Sequence, residues 1–323
     1  MRRWMRIVLT GGAGFIGSHV AERLVADGHE VLVYDAFTKQ YPAVIKRRNV
    51  AGALGLPGCT LIEGDLLETQ RFDAVFSAHA VDVVVHVAAA MAWSGPDAAK
   101  ACVETNVLGT HAVVERCRKH NVRKLILLSS AAVYGLRHQG PCKETDPTDR
   151  PLSVYAASKR AAESIAWLGH HQFGLDAFVL RPFSVYGPRQ RPDQAVYRFG
   201  RTLMAQERVE LSGDGSAVLD LLYVGDLVDA MAKAVEAVQG FEIINVGTGR
   251  PTTMLETVQK LAGALGVPAS TRSGPADPTL PPYAVADPTK AERLLGWRAA
   301  VDADEGCKRF VSWLRAEEFE DEA

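Results

Sequence analysis

Short apolar runs recur along the chain, and between them the apolar positions take a helical spacing. RIVLT (6–10) is followed by a glycine-rich turn and by SHVAERLVADG, whose periodicity is helical and which ends at Gly28. EVLVYD (30–35), CTLIEGD (59–65), DVVVHVAA (82–89), KLILLSS (124–130) and DAFVLRP (176–182) repeat the apolar pattern, with helices expected around 98–120 and 153–173. Runs that are apolar throughout, instead of alternating, are strands buried on both faces. Such strands alternating with helices predict a parallel sheet. Right-handed crossovers then make it a doubly wound, Rossmann-type α/β fold.

Beyond residue 182 the texture changes. VYGPRQRPDQ is a loop rich in Pro, Arg and Gln, a helix is expected over about 193–207, and LSGDGSA is a turn. FEIINVGTG (241–249) reads as another buried strand able to rejoin the first sheet, whereas GPADPTLPPYAVADP is proline-rich. The expectation is a cofactor-binding domain over 1–182, with 220–250 returning to it. A smaller interleaved C-terminal lobe over 183–323 would bind substrate.

Composition narrows the function classes. The chain has 323 residues, 47% of them hydrophobic, enough for a substantial core. Charged residues make up 23% and the formal net charge is −2, which argues against nucleic acid or a membrane surface as the partner. No apolar run approaches the roughly 20 residues of a membrane span. The start, MRRWMRIVLTGG, has too short an apolar part for an export signal and reads as a first strand. Cys59, Cys102, Cys117, Cys142 and Cys307 form no CxxC pair and no metal-ligand spacing, so reduced thiols in the cytoplasm are expected. The doublet His170-His171 falls on an expected helix end and no metal site is read there. The acidic tail EEFEDEA reads as a solvated end.

The chemistry begins at GxxGxxG, with Gly11, Gly14 and Gly17 between a strand and a helix. Glycines there let the backbone turn tightly and let a pyrophosphate approach the helix N-terminus, where free N–H groups and the helix dipole attract it. Asp35 closes the second strand. Its carboxylate can accept from both ribose hydroxyls and would repel a 2′-phosphate, so NAD is expected in place of NADP. Asp65 can accept from the adenine amino group or can cap a helix. The small residues Ala88 to Ala90 allow close approach of a cofactor, or are packing. In YAASK, Tyr155 and Lys159 stand four positions apart and share a helix face. By itself that spacing also occurs on solvated helices.

These motifs resemble the extended short-chain dehydrogenase/reductases, in particular the nucleotide-sugar epimerase and dehydratase branch. TGGAGFIGSH (10–19), HVAA (86–89), NVLGT (106–110), SSAAVYG (129–135), YAASK (155–159), LRPFSVYGPRQ (180–190) and LLGW (294–297) follow the family's order over nearly the whole chain. DAFTKQYPAVIKRRN (35–49) and VYGPRQRPDQA (185–195) look more loosely like UDP-glucuronate 4-epimerases.

The resemblance implies roles. Tyr155 is the catalytic base, and a free phenol, with a pKa of about 10, must be lowered by about 3 units, roughly 4 kcal/mol of phenolate stabilisation. Lys159 and the oxidised nicotinamide are the expected sources. Lys159 also holds the nicotinamide ribose, and Ser130 hydrogen-bonds the reacting sugar hydroxyl, its alternative being a strand-end serine; Ser129 is read as structural. The implied NAD contacts are Gly11, Gly14, Phe15, Ile16, Gly17, Asp35, Asp65, Leu66, Ala88, Ala89, Ala90, Tyr155, Lys159 and Pro182. The implied substrate contacts are Ser94, Ser130, Ser184 and Arg191, with Arg189 beside it in a loop where a guanidinium could pair with a sugar carboxylate or lie exposed. Relatives also dimerise through two helices, here those near 98–120 and 153–173, so a homodimer is expected.

Two departures bear on the reaction. Dehydratases of the branch place Asp-Glu after the catalytic hydroxyl residue, and here Ala131 and Ala132 stand there, which removes the acid and base for elimination and leaves epimerisation. Relatives read GDGxxxRD, and here GDGSAVLD puts Leu219 where an arginine would grip the nucleotide diphosphate. Arg272 is one substitute cation. The expectation is thus an NAD-dependent 4-epimerase of a UDP-hexose, uronic acid before neutral hexose, acting through a transient 4-keto sugar. The rivals are a dehydratase or other keto-intermediate enzyme, and a non-catalytic NAD-binding regulator.

Overall fold

The computed structural model describes residues 4–91 and 96–321. Arg6–Thr10 (β1), Glu30–Asp35 (β2), Cys59–Glu63 (β3), Val83–His86 (β4), Lys124–Leu128 (β5) and Asp176–Pro182 (β6) are the six strands of the N-terminal half. Ser184–Tyr186 (β7), Val209–Ser212 (β8) and Val218–Tyr223 (β9) follow, then Phe241–Val246 (β10). The main sheet has the order β10-β6-β5-β4-β1-β2-β3, and every pairing in it is parallel.

Strand residues alternate between two cores, as the pleat requires. Ile7, Leu9, Val31, Val33, Val83, Val85, Ile126 and Leu128 face the helices Phe15–Ala26 and Val224–Ala237. Val8, Leu32, Val84, Leu125, Leu127 and Val179 face the helices Thr69–Ala78, Gly109–Lys119 and Val154–Phe173. The central strands are covered on both faces, which is why their sequences show no polar alternation. Strand order reverses between β1 and β4, and the crevice beyond the C-terminal strand ends at that point is where such sheets bind ligands.

The second lobe adds Pro251–Thr253 (β11), Thr271–Gly274 (β12) and Tyr283–Ala284 (β13). Strand β9 lies between β11 and β13 and also pairs with β7, while β12 pairs with β8. Helices Ala195–Met204, Met254–Leu265 and Ala303–Asp321 surround a core that includes Phe199, Leu261, Phe310 and Leu314.

Two local readings change, and one motif gains a place in the structure. The helix expected over 98–120 is Pro96–Cys102, then a π-helical segment Val103–Leu108, then Gly109–Lys119. The wider turn carries the buried Asn106. In LLGW, Gly296 ends a helix in the left-handed conformation, and the buried Trp297 indole donates to the Asp226 carbonyl at 3.0 Å, so this motif is a clamp between elements. The acidic tail is helical to Asp321, and its first acid, Glu317, is ion-paired with Arg48.

Candidate active site

A cleft of about 470 Å³ lies between the C-terminal strand ends and the second lobe. Its floor is the turn after β1. Gly11 has φ +70°, and a Cβ on it would stand 2.6 Å from the Ala88 backbone; a Cβ on Gly17 would stand 2.1 Å from the Gly11 carbonyl oxygen. Only glycine fits these two positions. The helix that follows starts at Phe15 with Gly14 as its N-cap, and no side chain caps it. An uncapped helix start facing a cleft favours an anion, so the turn suits a dinucleotide pyrophosphate.

Asp35 also lines the cleft. Its Oδ2 accepts from the Ala13 N–H at 3.1 Å and its Oδ1 from the Phe37 N–H at 2.8 Å, with the Lys46 ammonium 3.5 Å away. Each oxygen keeps acceptor capacity for a ribose hydroxyl. Asp65 is not a helix cap: the next helix begins at Thr69 with Glu68 before it, and Asp65 Oδ1 instead accepts from the Leu67 N–H at 2.9 Å. Phe15, Ile16, Leu66, Ala88, Ala89 and Pro182 line the cleft with it. Ala90 lies off its wall. The Ala90 N–H and carbonyl are both bonded at 2.8 Å by the Asn106 amide.

Ser153 caps the helix Val154–Phe173, its Oγ accepting from the Ala156 N–H at 3.1 Å. That start places Tyr155 in the first turn and Lys159 one turn on, both on the cleft wall. Burial, the largest effect, pushes the Tyr155 phenol up to about 12, against a smaller lowering from Ser130 beside it. Burial likewise lowers Lys159 to about 8, and its Nζ donates to the Leu128 carbonyl at 2.8 Å. Ser130 accepts from the Ala132 N–H at 3.1 Å, capping the short 3-10 helix Ala131–Tyr134.

Two supporting networks escaped sequence reasoning. The Asn106 amide donates to Ser158 Oγ at 2.9 Å, and Ser158 donates to the Tyr155 carbonyl at 2.8 Å, which ties the π-helical segment to the helix carrying Tyr155. His86 lies 2.6 Å from Thr10 Oγ1 through Nδ1 and 3.0 Å from Thr110 Oγ1 through Nε2. The Thr110 hydroxyl is already donated to the Asn106 carbonyl at 2.6 Å, so it accepts from His86 Nε2–H. Thr10 then donates to Nδ1, and burial holds the neutral ring down to about 3. Deeper in, Arg181 makes a two-pronged pair with Glu163 at 2.8 and 2.7 Å, and Ser129 Oγ donates to the same carboxylate at 2.6 Å. The motifs HVAA, NVLGT and SSAAVYG were visible in sequence; their mutual bonding was not.

On the second-lobe side, Ser184 and Arg191 line the cleft. Asp193 grips the Arg191 guanidinium at 3.0 and 2.7 Å, and Gln40 accepts from it at 3.3 Å. Arg189 turns away and pairs with Glu22 at 2.8 Å. Arg272 is corrected: it is exposed on β12, paired with Glu210 at 2.8 Å, and absent from the cleft wall. Ser94 lies outside the described residues. Leu219 faces the cleft beside Leu221, Met254 and Leu280, and the cations on the wall among the described residues are Lys46, Lys159 and Arg191. The adjacent Asp220 is buried and accepts from Thr248, Gly249 and Ala286, so this half of the motif is structural. Gln190 and Gln194 were also missed. Both line the cleft, and among the described residues their buried Oε1 atoms have no hydrogen-bond partner.

Residues 7–247 match the NAD dependent epimerase/dehydratase family. The chain is 30% identical over 310 residues to the UDP-glucuronate 4-epimerase of Thermodesulfobacterium geofontis, covering 95% of each. Among solved structures it is similar to UDP-glucuronic acid 4-epimerase from Bacillus cereus in complex with UDP-glucuronic acid and NAD. That likeness has a TM-score of 0.91 at 29% identity, covering 97% of this chain and 100% of that one. It is also similar to a UDP-glucose 4-epimerase with UDP-glucose from Thermotoga maritima, with a TM-score of 0.88 at 30% identity over 97% of this chain and 100% of that one.

Proposed function

The chain belongs to the NAD dependent epimerase/dehydratase family, and on that premise we propose that it is an NAD-dependent UDP-sugar 4-epimerase. One observation carries the reading: Tyr155, Ser130 and Lys159 converge on one cleft in which the two positions after Ser130 are alanines. The carboxylates on that wall among the described residues are Asp35, Asp65 and Asp277. Asp35 and Asp65 stand at the strand ends beside the glycine turn and Asp277 in the second lobe, which supports epimerisation over elimination of water.

NAD+, when bound, would supply a hydride acceptor and later donor and a positive charge additional to the Lys159 ammonium. Tyr155 exchanges the proton of the sugar 4-hydroxyl, and Ser130 shares that hydrogen bond. Lys159, fixed on the Leu128 carbonyl, presents its ammonium on the wall that Tyr155 occupies. A hydride taken and returned would leave no net redox change, so the cofactor would stay bound through turnover. The apolar wall of Leu219, Leu221, Met254 and Leu280 offers a turning 4-keto sugar few polar contacts that would hold it in one orientation.

We favour a uronate over a neutral hexose. Arg191 already holds a carboxylate in two-pronged geometry, that of Asp193, and a sugar carboxylate has the same shape and charge. We assign residues 1–182 with 220–250 to the cofactor and the rest of 183–323 to the substrate. A homodimer is proposed through the helical segments Pro96–Lys119 and Val154–Phe173, supported by the exposed Val103, Leu108, Val154 and Leu168. Among the described residues no helix is long and apolar enough to cross a membrane, and five unpaired cysteines support a cytoplasmic setting. Mass identification of the nucleotide released on denaturation, with NMR of product mixtures from a panel of UDP-sugars, tests the reading. It fails if no dinucleotide is released or no sugar is epimerised.

A further inference from the structure

Tyr41, in the loop after β2, is buried, yet among the described residues its hydroxyl has no hydrogen-bond partner. Buried polar atoms are ordinarily paired, and an unpaired one destabilises the fold that holds it. The hydroxyl stands 3.7 Å from the position a Cβ of Gly14 would take. The Phe15 N–H, at the uncapped helix start, lies beside it without forming a hydrogen bond of normal geometry. Tyr41 therefore reaches across the cleft to the place where the glycine turn admits an anion. Two cations accompany it: the Lys46 ammonium and the Arg191 guanidinium each lie 5.2 Å from its ring centre. One comes from the cofactor-side helix Ala43–Leu54 and the other from the second-lobe loop.

We propose that Tyr41 is a ligand of the dinucleotide's pyrophosphate, donating its O–H to a phosphate oxygen over Gly14 while Lys46 supplies counter-charge. The inference rests on the NAD-dependent reading above. Burial raises the phenol well above its ordinary range, so it stays protonated and able to donate. The ring also links Lys46, which touches Asp35, to Arg191, so one side chain bridges the cofactor half and the substrate half of the cleft.

The test compares the full chain with Tyr41→Phe, each stripped of nucleotide, by calorimetric titration with NAD+, ADP-ribose and adenosine and by thermal unfolding. Tyr41→Phe is expected to weaken NAD+ and ADP-ribose about tenfold and to leave adenosine within twofold. The stripped variant should melt no lower than the stripped wild type, since it loses an unpaired buried hydroxyl and no contact. Its gain in melting temperature on adding NAD+ should be smaller. Unchanged ADP-ribose binding, or an equal loss for adenosine, would overturn the role of Tyr41 and leave the epimerase reading standing. Wild-type protein that binds neither NAD+ nor ADP-ribose would overturn both.

Discussion

The Lys159 ammonium donates to the carbonyl of Leu128, the last residue of β5, at 2.8 Å. A buried cation with one fixed partner is held in place but disfavoured by its surroundings, and burial brings it down to about 8. Lys159→Met should lower kcat by about two orders of magnitude. As pH rises through about 8 the wild-type ammonium is lost, so its kcat/KM profile should fall there. The variant, with nothing to titrate, should show no such limb.

Arg191 should separate charged from neutral substrates. Arg191→Lys keeps the charge and loses the planar fork. We expect KM for UDP-glucuronate to rise about tenfold with KM for UDP-glucose within twofold, measured by steady-state kinetics on both. Equal effects on the two would assign Arg191 to something other than the sugar carboxylate.

The pair Glu163 and Arg181 is buried, and Ser129 adds a third bond to the carboxylate. Removing one partner strands a charge, so Arg181→Met should cost about 3–5 kcal/mol in urea unfolding. Replacing both, with Glu163→Leu added, should cost less than the sum of the single changes. Ser129→Ala should cost about 2 kcal/mol.

His86 predicts an acid-sensitive fold. Its ring is held neutral down to about 3, against an ordinary value of 6.5. Between those values the unfolded chain binds a proton that the folded chain refuses, so stability is full above about 6.5 and falls as pH drops towards 3. One proton gives a slope of about 1.4 kcal/mol per pH unit. His86→Asn should be less stable at neutral pH, since Thr10 and Thr110 lose a fitted partner. Its acid limb, followed by urea unfolding, should be shallower by that slope.

The strands were legible because burial on both faces writes itself as unbroken apolar runs, and β1, β2 and β6 keep the boundaries read from sequence. The glycine turn was legible because the Gly11 and Gly17 positions tolerate no Cβ. What stayed hidden depends on partners distant in sequence. Nothing local says that Glu22 would hold Arg189, or that Glu210 would hold Arg272 outside the cleft. The π-helical segment carries Asn106, whose amide holds Ala90, 16 residues earlier. Tyr155 shows the same limit: helix spacing puts Lys159 on its face, whereas the depth of burial that dominates its acidity is a property of the assembled cleft.

The central claim is that one hydride leaves the sugar and returns to the same carbon. UDP-glucuronate carrying deuterium at C4 tests it most directly, with product followed by NMR and mass. The account predicts UDP-galacturonate that keeps the label at C4. Label lost to solvent or found on another carbon, or a dehydrated product, would contradict it.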